Sequence, residues 1–329
     1  MTPYILFFLF VAMFAYISDV RRTVLVASSQ RLSINFLWIS IFFFLIFFIG
    51  FRYEVGGDWG AYLNYLNGLK GIRFEDGFSI SSDPGYLLIN WLAISLGFDI
   101  FTVNLICAII FSTGLIVFCR SLPRPLLALV VAIPYMIIVV SMGYTRQGTA
   151  LGFAMIGLVL LGRNRRLWFT VFILLATSFH KTAIILLPIA ALVTSQKKIQ
   201  VIFWILIIGI AAYFSAFFSQ IERLVQYYIE EEYQSEGTFI RLMMLFFPSL
   251  ILLIWPHRFL INPIELRLWK FCALISLALT ALFFVSNSST AIDRIALYML
   301  PIQLVVFSYL PEFFGRSGEQ RQWIVIGAI

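Results

Sequence analysis

Arg146 stands between two long apolar runs, and Gly143 and Gly148 lie close to it in the sequence. The planar guanidinium of arginine matches phosphate oxygens in a two-pronged geometry. A charge at membrane depth is costly and usually serves a function, and glycines permit close backbone approach. The alternative is an arginine that only extends its side chain to a membrane interface. We interpret Arg146 as an anion-binding residue.

Asp58 follows two glycines and precedes a run of apolar residues at helical spacing, namely Trp59, Tyr62, Leu63, Leu66 and Leu69. This spacing predicts a short amphipathic helix that lies on a membrane surface. Asp58 and Tyr62 are four residues apart, so they share the face of its first turn. Asp58 can serve as the N-cap of this helix or as a catalytic carboxylate, and the two roles are compatible.

His180 and Lys181 form the tip of a predicted helical hairpin whose apolar arms are too short to cross about 30 Å of hydrocarbon upright. The tip should therefore lie in a recess below one surface. A histidine beside a lysine is suited to act as a general base or to bind phosphate. The alternative for His180 is a histidine that only hydrogen-bonds to neighbouring helices.

Three further residues are candidates for binding substrate, and each also has a purely structural interpretation. Arg294, followed by Tyr298, could bind an anion, or it could only pair with Asp293, which would cap a helix that begins at Ile295. Asp83 precedes a proline, as an N-cap does. Arg52 stands at a helix end, where an arginine commonly extends to the interface.

Composition indicates a polytopic membrane protein. The chain has 329 residues, of which 61% are hydrophobic and 12% are charged, and its mean hydropathy is +0.97. The net charge of +7 does not indicate nucleic acid, because basic loops orient membrane proteins. The three cysteines lie in apolar runs and no Cys/His cluster occurs, so we expect no disulfide framework, metal site or cofactor.

The apolar runs predict about 11–12 spans in one all-α transmembrane domain that covers residues 1–329. Between the spans we predict an extracytoplasmic loop with interfacial helices at 52–99 and an acidic extracytoplasmic loop at 219–240. The acidic loop is interpreted as a solvated helix, with a sugar-contacting flap as the alternative. A last apolar stretch begins at Trp323 and is too short to span, which suggests a truncated chain or a missing final helix.

The distribution of basic residues predicts the orientation. If the short apolar run Gly85–Leu96 does not cross, the larger share of the 23 basic residues collects on one side of the membrane. If the run crosses, the basic loops change sides midway. The positive-inside rule therefore favours a non-crossing segment, an outer N-terminus and a cytoplasmic position for the basic loops.

Together these residues resemble the EpsG family of exopolysaccharide and O-antigen polymerases, the Wzy-type enzymes. The resemblance is carried, in the family's order, by Arg52-Tyr53, Gly57-Asp58 with Tyr62, Asp83-Pro84-Gly85-Tyr86, Arg146-Gln147, His180-Lys181-Thr182-Ala183, and Arg294 with Tyr298.

The resemblance implies an inner-membrane glycosyltransferase with a GT-C-like architecture. Such an enzyme would join oligosaccharide units carried on undecaprenyl pyrophosphate at the outer, periplasmic face, without a metal, among membrane lipids and beside a chain-length regulator. Asp58 or His180 would be the catalytic base. The residues expected to bind substrate or pyrophosphate are Arg52, Tyr62, Asp83, Arg146, Lys181, Arg294 and Tyr298. A flippase for the same lipid-linked sugars and an O-antigen ligase remain the alternatives.

Overall fold

The computed structural model describes residues 2–22, 30–79, 83–194, 237–285 and 289–314, and every regular element in these ranges is helical. The α-helices in chain order are α1 (Thr2–Arg22), α2 (Gln30–Gly50), α3 (Trp59–Gly68), α4 (Pro84–Ser95), α5 (Ile100–Ser121), α6 (Pro125–Ala132), α7 (Thr145–Gly162), α8 (Arg166–Phe179), α9 (Leu187–Thr194), α10 (Thr238–Ile254), α11 (Pro263–Phe283), α12 (Thr290–Ala296) and α13 (Pro301–Phe314). Short 3₁₀ turns cover Asp76–Ser79, Lys181–Leu186, Pro256–Arg258 and Leu297–Met299, and a π-helical segment covers Ile133–Ser141.

Two of these helices, α5 and α11, are long and apolar enough to cross a membrane, and a third span arises if one bent pair counts as a single segment. That pair joins Thr290–Met299 to Pro301–Pro311 at an angle of 43°. The other apolar helices in the described ranges are shorter. These apolar helices are consistent with a helical membrane protein, whereas the count of 11–12 spans stays a prediction.

Apolar side chains cover much of the outer surface. On α1, Leu6 and Leu9 are exposed, and on α2 so are Phe43 and Phe47. Continuous apolar faces of this kind are rare on soluble monomers, because water would oppose their exposure. They are expected where a helix faces lipid.

Glycines bring α5 and α7 into direct backbone contact. A Cβ atom on Gly114 would collide with the carbonyl of Gly152, and a Cβ atom on Gly152 would lie 2.7 Å from the Cα of Phe111. Small residues at a contact let membrane helices approach closely. Close packing matters in lipid because no hydrophobic effect drives the helices together there. This contact fixes the position of α7, whose first turn carries Arg146.

The helix that precedes Arg146 is irregular. α6 continues directly into the π-helical segment Ile133–Ser141, which contains Pro134. Proline lacks the backbone N–H that an α-helical turn would use, and π-helical turns are found mostly at functional sites. The segment ends at the turn that leads into α7.

The segment after α2 contains the predicted amphipathic helix, whereas its position on a membrane surface stays a prediction. α3 buries Tyr62 and Leu66, which lie one helical turn apart, and exposes its polar side. α4 has only 12 residues and packs against α5 and α8. It is too short for an upright span. The predicted acidic loop at 219–240 lies outside the described residues up to position 236.

Candidate active site

Arg146 and Asp83 form an ion pair at the centre of the site. Nη1 of Arg146 lies 3.0 Å from Oδ2 of Asp83, and the guanidinium also lies 6.0 Å from the ring centre of Tyr62 and 5.8 Å from that of Tyr86. Such contacts with aromatic faces hold a cation in place. The Arg146 side chain remains 41% exposed, so the rest of its N–H fork can reach an anionic ligand.

Asp83 occupies the N-cap position of α4, as predicted, but its side chain accepts no capping hydrogen bond. Its oxygens instead accept from Arg146 and, at 3.4 Å, from the backbone N–H of Lys181. Burial raises the pKa of the Asp83 carboxyl, and the charge of Arg146 partly opposes this rise. The N-cap position is therefore as expected, whereas the Asp83 side chain links the Arg146 and Lys181 segments.

Gly85 permits this link. A Cβ atom at Gly85 would lie 2.6 Å from the hydroxyl oxygen of Ser178 and 2.9 Å from Cε2 of Phe179. The start of α4 can therefore approach the end of α8 only because residue 85 has no side chain. This approach brings Asp83 to the tip at Lys181.

His180 lies at the turn between α8 and the following 3₁₀ turn, as predicted, and it is buried. Its Nε2 atom lies 3.2 Å from Nε2 of Gln147. Because an amide nitrogen only donates, Nε2 of His180 is assigned as the acceptor and Nδ1 carries the proton. Burial is the main reason that the pKa of the imidazole falls to about 3, and the charges of Arg294 and Arg146 lower it as well.

Asp58 is held by a loop with an unusual backbone. Glu54 and Gly56 both have positive φ values, 52° and 94°, and a Cβ atom on Gly56 would lie 2.7 Å from the Cα of Gly143. The loop thus packs against the turn that precedes α7. Asp58 occupies the N-cap position of α3, but its carboxylate accepts no capping hydrogen bond.

Asp58 is exposed at the surface of the protein, and two opposing influences act on its carboxyl. Partial burial raises the pKa of its carboxyl, whereas the charges of Arg146 and Arg294 act in the opposite direction. Arg294 acts on His180 as well. Tyr298 lies close to Thr182 and Asp83. The structure thus brings together residues that are far apart in sequence.

The sequence profile of the EpsG family matches residues 35–329, a range that contains every residue of this site. The chain belongs to the EpsG family. This family is related to the Wzy-type polysaccharide polymerases, so the protein is a member of a membrane family of polysaccharide biosynthesis. No curated protein and no solved structure matches the chain.

One predicted site residue of this EpsG-family chain lies apart from the exposed charges. Arg52 is buried, and its guanidinium donates to the carbonyl of Ile49 at 3.0 Å, to Oδ1 of Asn104 at 2.9 Å and to the hydroxyl of Thr145 at 2.5 Å. These bonds tie the end of α2 to α5 and to the start of α7. The geometry favours a role for Arg52 in positioning Arg146 over direct contact with substrate.

Asp293 differs from the sequence interpretation as well. It is not the cap of a helix that begins at Ile295, because it lies inside α12. It forms an ion pair with Arg241 on α10, a residue that no sequence motif singled out. Gln147 and Thr182 were named only as parts of matching motifs, and Tyr86 likewise, although all three lie within the site.

No group of three or more His, Cys, Asp or Glu side chains lies close enough to hold a metal ion within the described ranges. The charged cluster, which we define as Asp58, Asp83, Arg146, His180 and Arg294, instead presents two arginines with two carboxylates and one imidazole. Guanidinium groups can stabilise a phosphate anion, and a carboxylate with a raised pKa can accept a proton.

Proposed function

We propose that this protein is a polymerase that joins oligosaccharide repeat units carried on undecaprenyl pyrophosphate. The observation that supports this best is the convergence of Arg146, Arg294 and Asp58, which come from three distant parts of the chain. Family membership supports a polysaccharide polymerase in general. The charged cluster adds the groups that glycosyl transfer from a pyrophosphate requires.

In the proposed reaction, a sugar hydroxyl at the end of one unit attacks the anomeric carbon of another unit. A new C–O glycosidic bond forms, the bond from the anomeric carbon to the pyrophosphate oxygen breaks, and lipid pyrophosphate leaves. Negative charge develops on the leaving oxygen, and Arg146 and Arg294 stabilise it. Lys181, next to His180, supplies further positive charge to the pyrophosphate.

We assign the base to Asp58 and not to His180. The Asp58 carboxylate makes no capping bond, and its raised pKa strengthens it as a proton acceptor. The Nε2 lone pair of His180 is already engaged by Gln147, and a pKa of about 3 makes the imidazole a weak base. The neutral Nδ1–H of His180 is left to donate a hydrogen bond to substrate.

Three other residues shape the site in this proposal. Asp83 holds Arg146 in place through their ion pair. The ring of Tyr62 on α3 contacts the Arg146 guanidinium and helps to orient it. Tyr298 is buried beside Thr182, so it is proposed to support the substrate site from within the protein and not to contact a sugar directly.

The finer architecture belongs to the proposal too. We place the charged cluster at the periplasmic face of the inner membrane, in a GT-C-like bundle of about 11–12 spans, because the distribution of basic residues favours cytoplasmic basic loops. A chain-length regulator is a proposed partner.

The decisive experiment is polymerisation of a purified lipid-linked repeat unit by the purified protein in detergent or liposomes, with chelator and no added metal. We expect a ladder of products that differ by one repeat unit. Arg146→Ala and Arg294→Ala should each reduce the rate by roughly 10²–10³-fold.

Other outcomes identify the alternatives. Movement of the lipid-linked unit across liposome membranes without any new glycosidic bond would indicate a flippase. Transfer of a single unit to a different acceptor, with no ladder, would indicate a ligase. A ladder that appears only after a divalent metal is added would contradict the proposed metal independence.

A further inference from the structure

A second buried arginine forms an ion pair with Asp293, the residue directly before Arg294 of the charged cluster. Arg241 on α10 is 1% exposed, the largest side chain that is so completely buried in the described part of the chain. It forms an ion pair with Asp293, and its Nη1 atom also donates to the backbone carbonyl of Asp293 at 3.1 Å. Its Nε atom donates to the hydroxyl of Tyr135 at 2.7 Å.

Two aromatic rings flank the same guanidinium. It lies 5.3 Å from the ring centre of Tyr135 in the π-helical segment and 5.7 Å from that of Tyr144, the residue before α7. Arg241 therefore connects α10, the π-helical segment, the start of α7 and α12. Its position is fixed by contacts on several sides.

Stability alone gives no reason for this arrangement. Removing two charges from water is expensive, and well-packed apolar residues often replace a buried ion pair without loss of stability. A buried ion pair does impose a specific geometry on the segments that it joins. In this protein the ion pair joins α10 to α12.

The residue after Asp293 is Arg294, whose charge acts on Asp58 and His180. α12 has only seven residues, and a helix this short cannot hold its own position. Arg241 grips it through the side chain and the backbone carbonyl of Asp293. Arg241 therefore contacts α12 at the residue directly before Arg294.

We propose that Arg241, through its ion pair with Asp293, is a positioning residue that holds Arg294 against the departing pyrophosphate. This inference rests on the proposed function for its consequence in catalysis. Arg241 itself touches no substrate. Tyr135 and Tyr144 keep the guanidinium in the orientation that this requires.

A double-mutant cycle on the polymerisation rate tests the proposal, because residues that act through one another are not additive. Arg241→Lys keeps the charge but loses the two-pronged guanidinium geometry. It should lower kcat by about 10- to 100-fold, because a small misplacement of Arg294 would weaken its contact with the leaving group. The KM for the donor should change little. In an Arg294→Ala background the same change should add no more than about twofold, the scatter of independent sites. Equal losses in both backgrounds would overturn the proposal.

Arg124 provides a matched control. It is a buried arginine at the opposite end of α6, and its Nη1 atom donates to the carbonyl of Ser308 at 3.2 Å. Arg124→Lys removes the guanidinium of another buried arginine. Any loss of rate that it causes should therefore be equal in the wild-type and the Arg294→Ala backgrounds. If Arg241→Lys does not fold, Tyr135→Phe removes one anchor of Arg241 and should show the same non-additivity to a smaller degree.

A second measurement does not depend on polymerase activity. The native cysteines are buried, so a thiol introduced by Arg294→Cys can be followed by its reaction with an impermeant reagent. Its rate of modification should change when Arg241→Lys is added, whereas the rate at Phe98→Cys should not. An unchanged rate at position 294 would refute the positioning role. Absence of polymer from the unaltered protein, together with a changed rate, would refute only the proposed function.

Discussion

Replacing Asp58 by asparagine separates the two roles that this residue can have. In the structure Asp58 stands at the N-cap of α3 with φ −86° and ψ 3°, and its side chain accepts no hydrogen bond from the helix. Loss of a working N-cap typically costs about 1 kcal/mol, and asparagine caps as well as aspartate does. Asp58→Asn should therefore change the free energy of unfolding by well under about 1 kcal/mol.

The effect on the rate should be far larger. Asparagine cannot accept a proton, and general-base catalysis contributes about 10²–10⁴-fold to a rate. This range corresponds to about 2.7–5.5 kcal/mol of activation free energy, several times the largest effect expected on folding. The assay measures the rate of the first glycosidic bond under single-turnover conditions, together with donor binding and elution of a monodisperse protein.

Asp99 supplies the matched control, because it lies in the same predicted extracytoplasmic segment and its carboxylate does cap a helix, accepting from the N–H of Phe101 at 3.0 Å. Asp99→Asn should leave the rate near normal. Near-normal turnover by a well-folded Asp58→Asn protein would refute the assignment of the base. In that case His180→Gln should be inactive, and if it is not, the attacking hydroxyl needs no protein base.

Three further predictions follow from the same geometry. Arg146→Lys should be nearly as slow as Arg146→Ala in the polymerisation assay. A lysine keeps a point charge beside the tyrosine rings but lacks the two-pronged guanidinium. Polymer of normal length and amount from the lysine variant would show that this geometry is not needed. On the acidic side, kcat/KM should fall at a pH above the usual carboxyl pKa, because burial raises the pKa of Asp58 and the base is active only when deprotonated. This acidic fall should disappear in Asp58→Asn. An acidic fall that persists in this variant would belong to another group. Residues 85–96 should not cross the membrane, so Lys70→Cys and Phe98→Cys should both react with an impermeant thiol reagent from outside; reaction of the Phe98→Cys variant only from the cytoplasmic side would reverse the orientation.

Local signals predicted much of the site. The spacing of Tyr62 and Leu66 identified the amphipathic helix α3, and the two short apolar arms identified the turn at His180. Asp58 and Asp83 both stand at N-cap positions, as their neighbours in sequence indicated. These features depend on interactions within a few residues, so a single sequence contains the information for them.

Composition and the ordered motifs were enough to predict a helical membrane protein of the EpsG family, because both can be read without knowing which residues are in contact. The pairing of the charges could not be predicted in this way, because it depends on how the helices pack. Asp83 meets Arg146 and Asp293 meets Arg241 across large sequence separations, and Arg52 turns inward to Asn104 and Thr145. The physical reason is that a buried charge takes whichever partner the helix packing brings within hydrogen-bonding distance, and close approaches such as that at Gly85 set this packing.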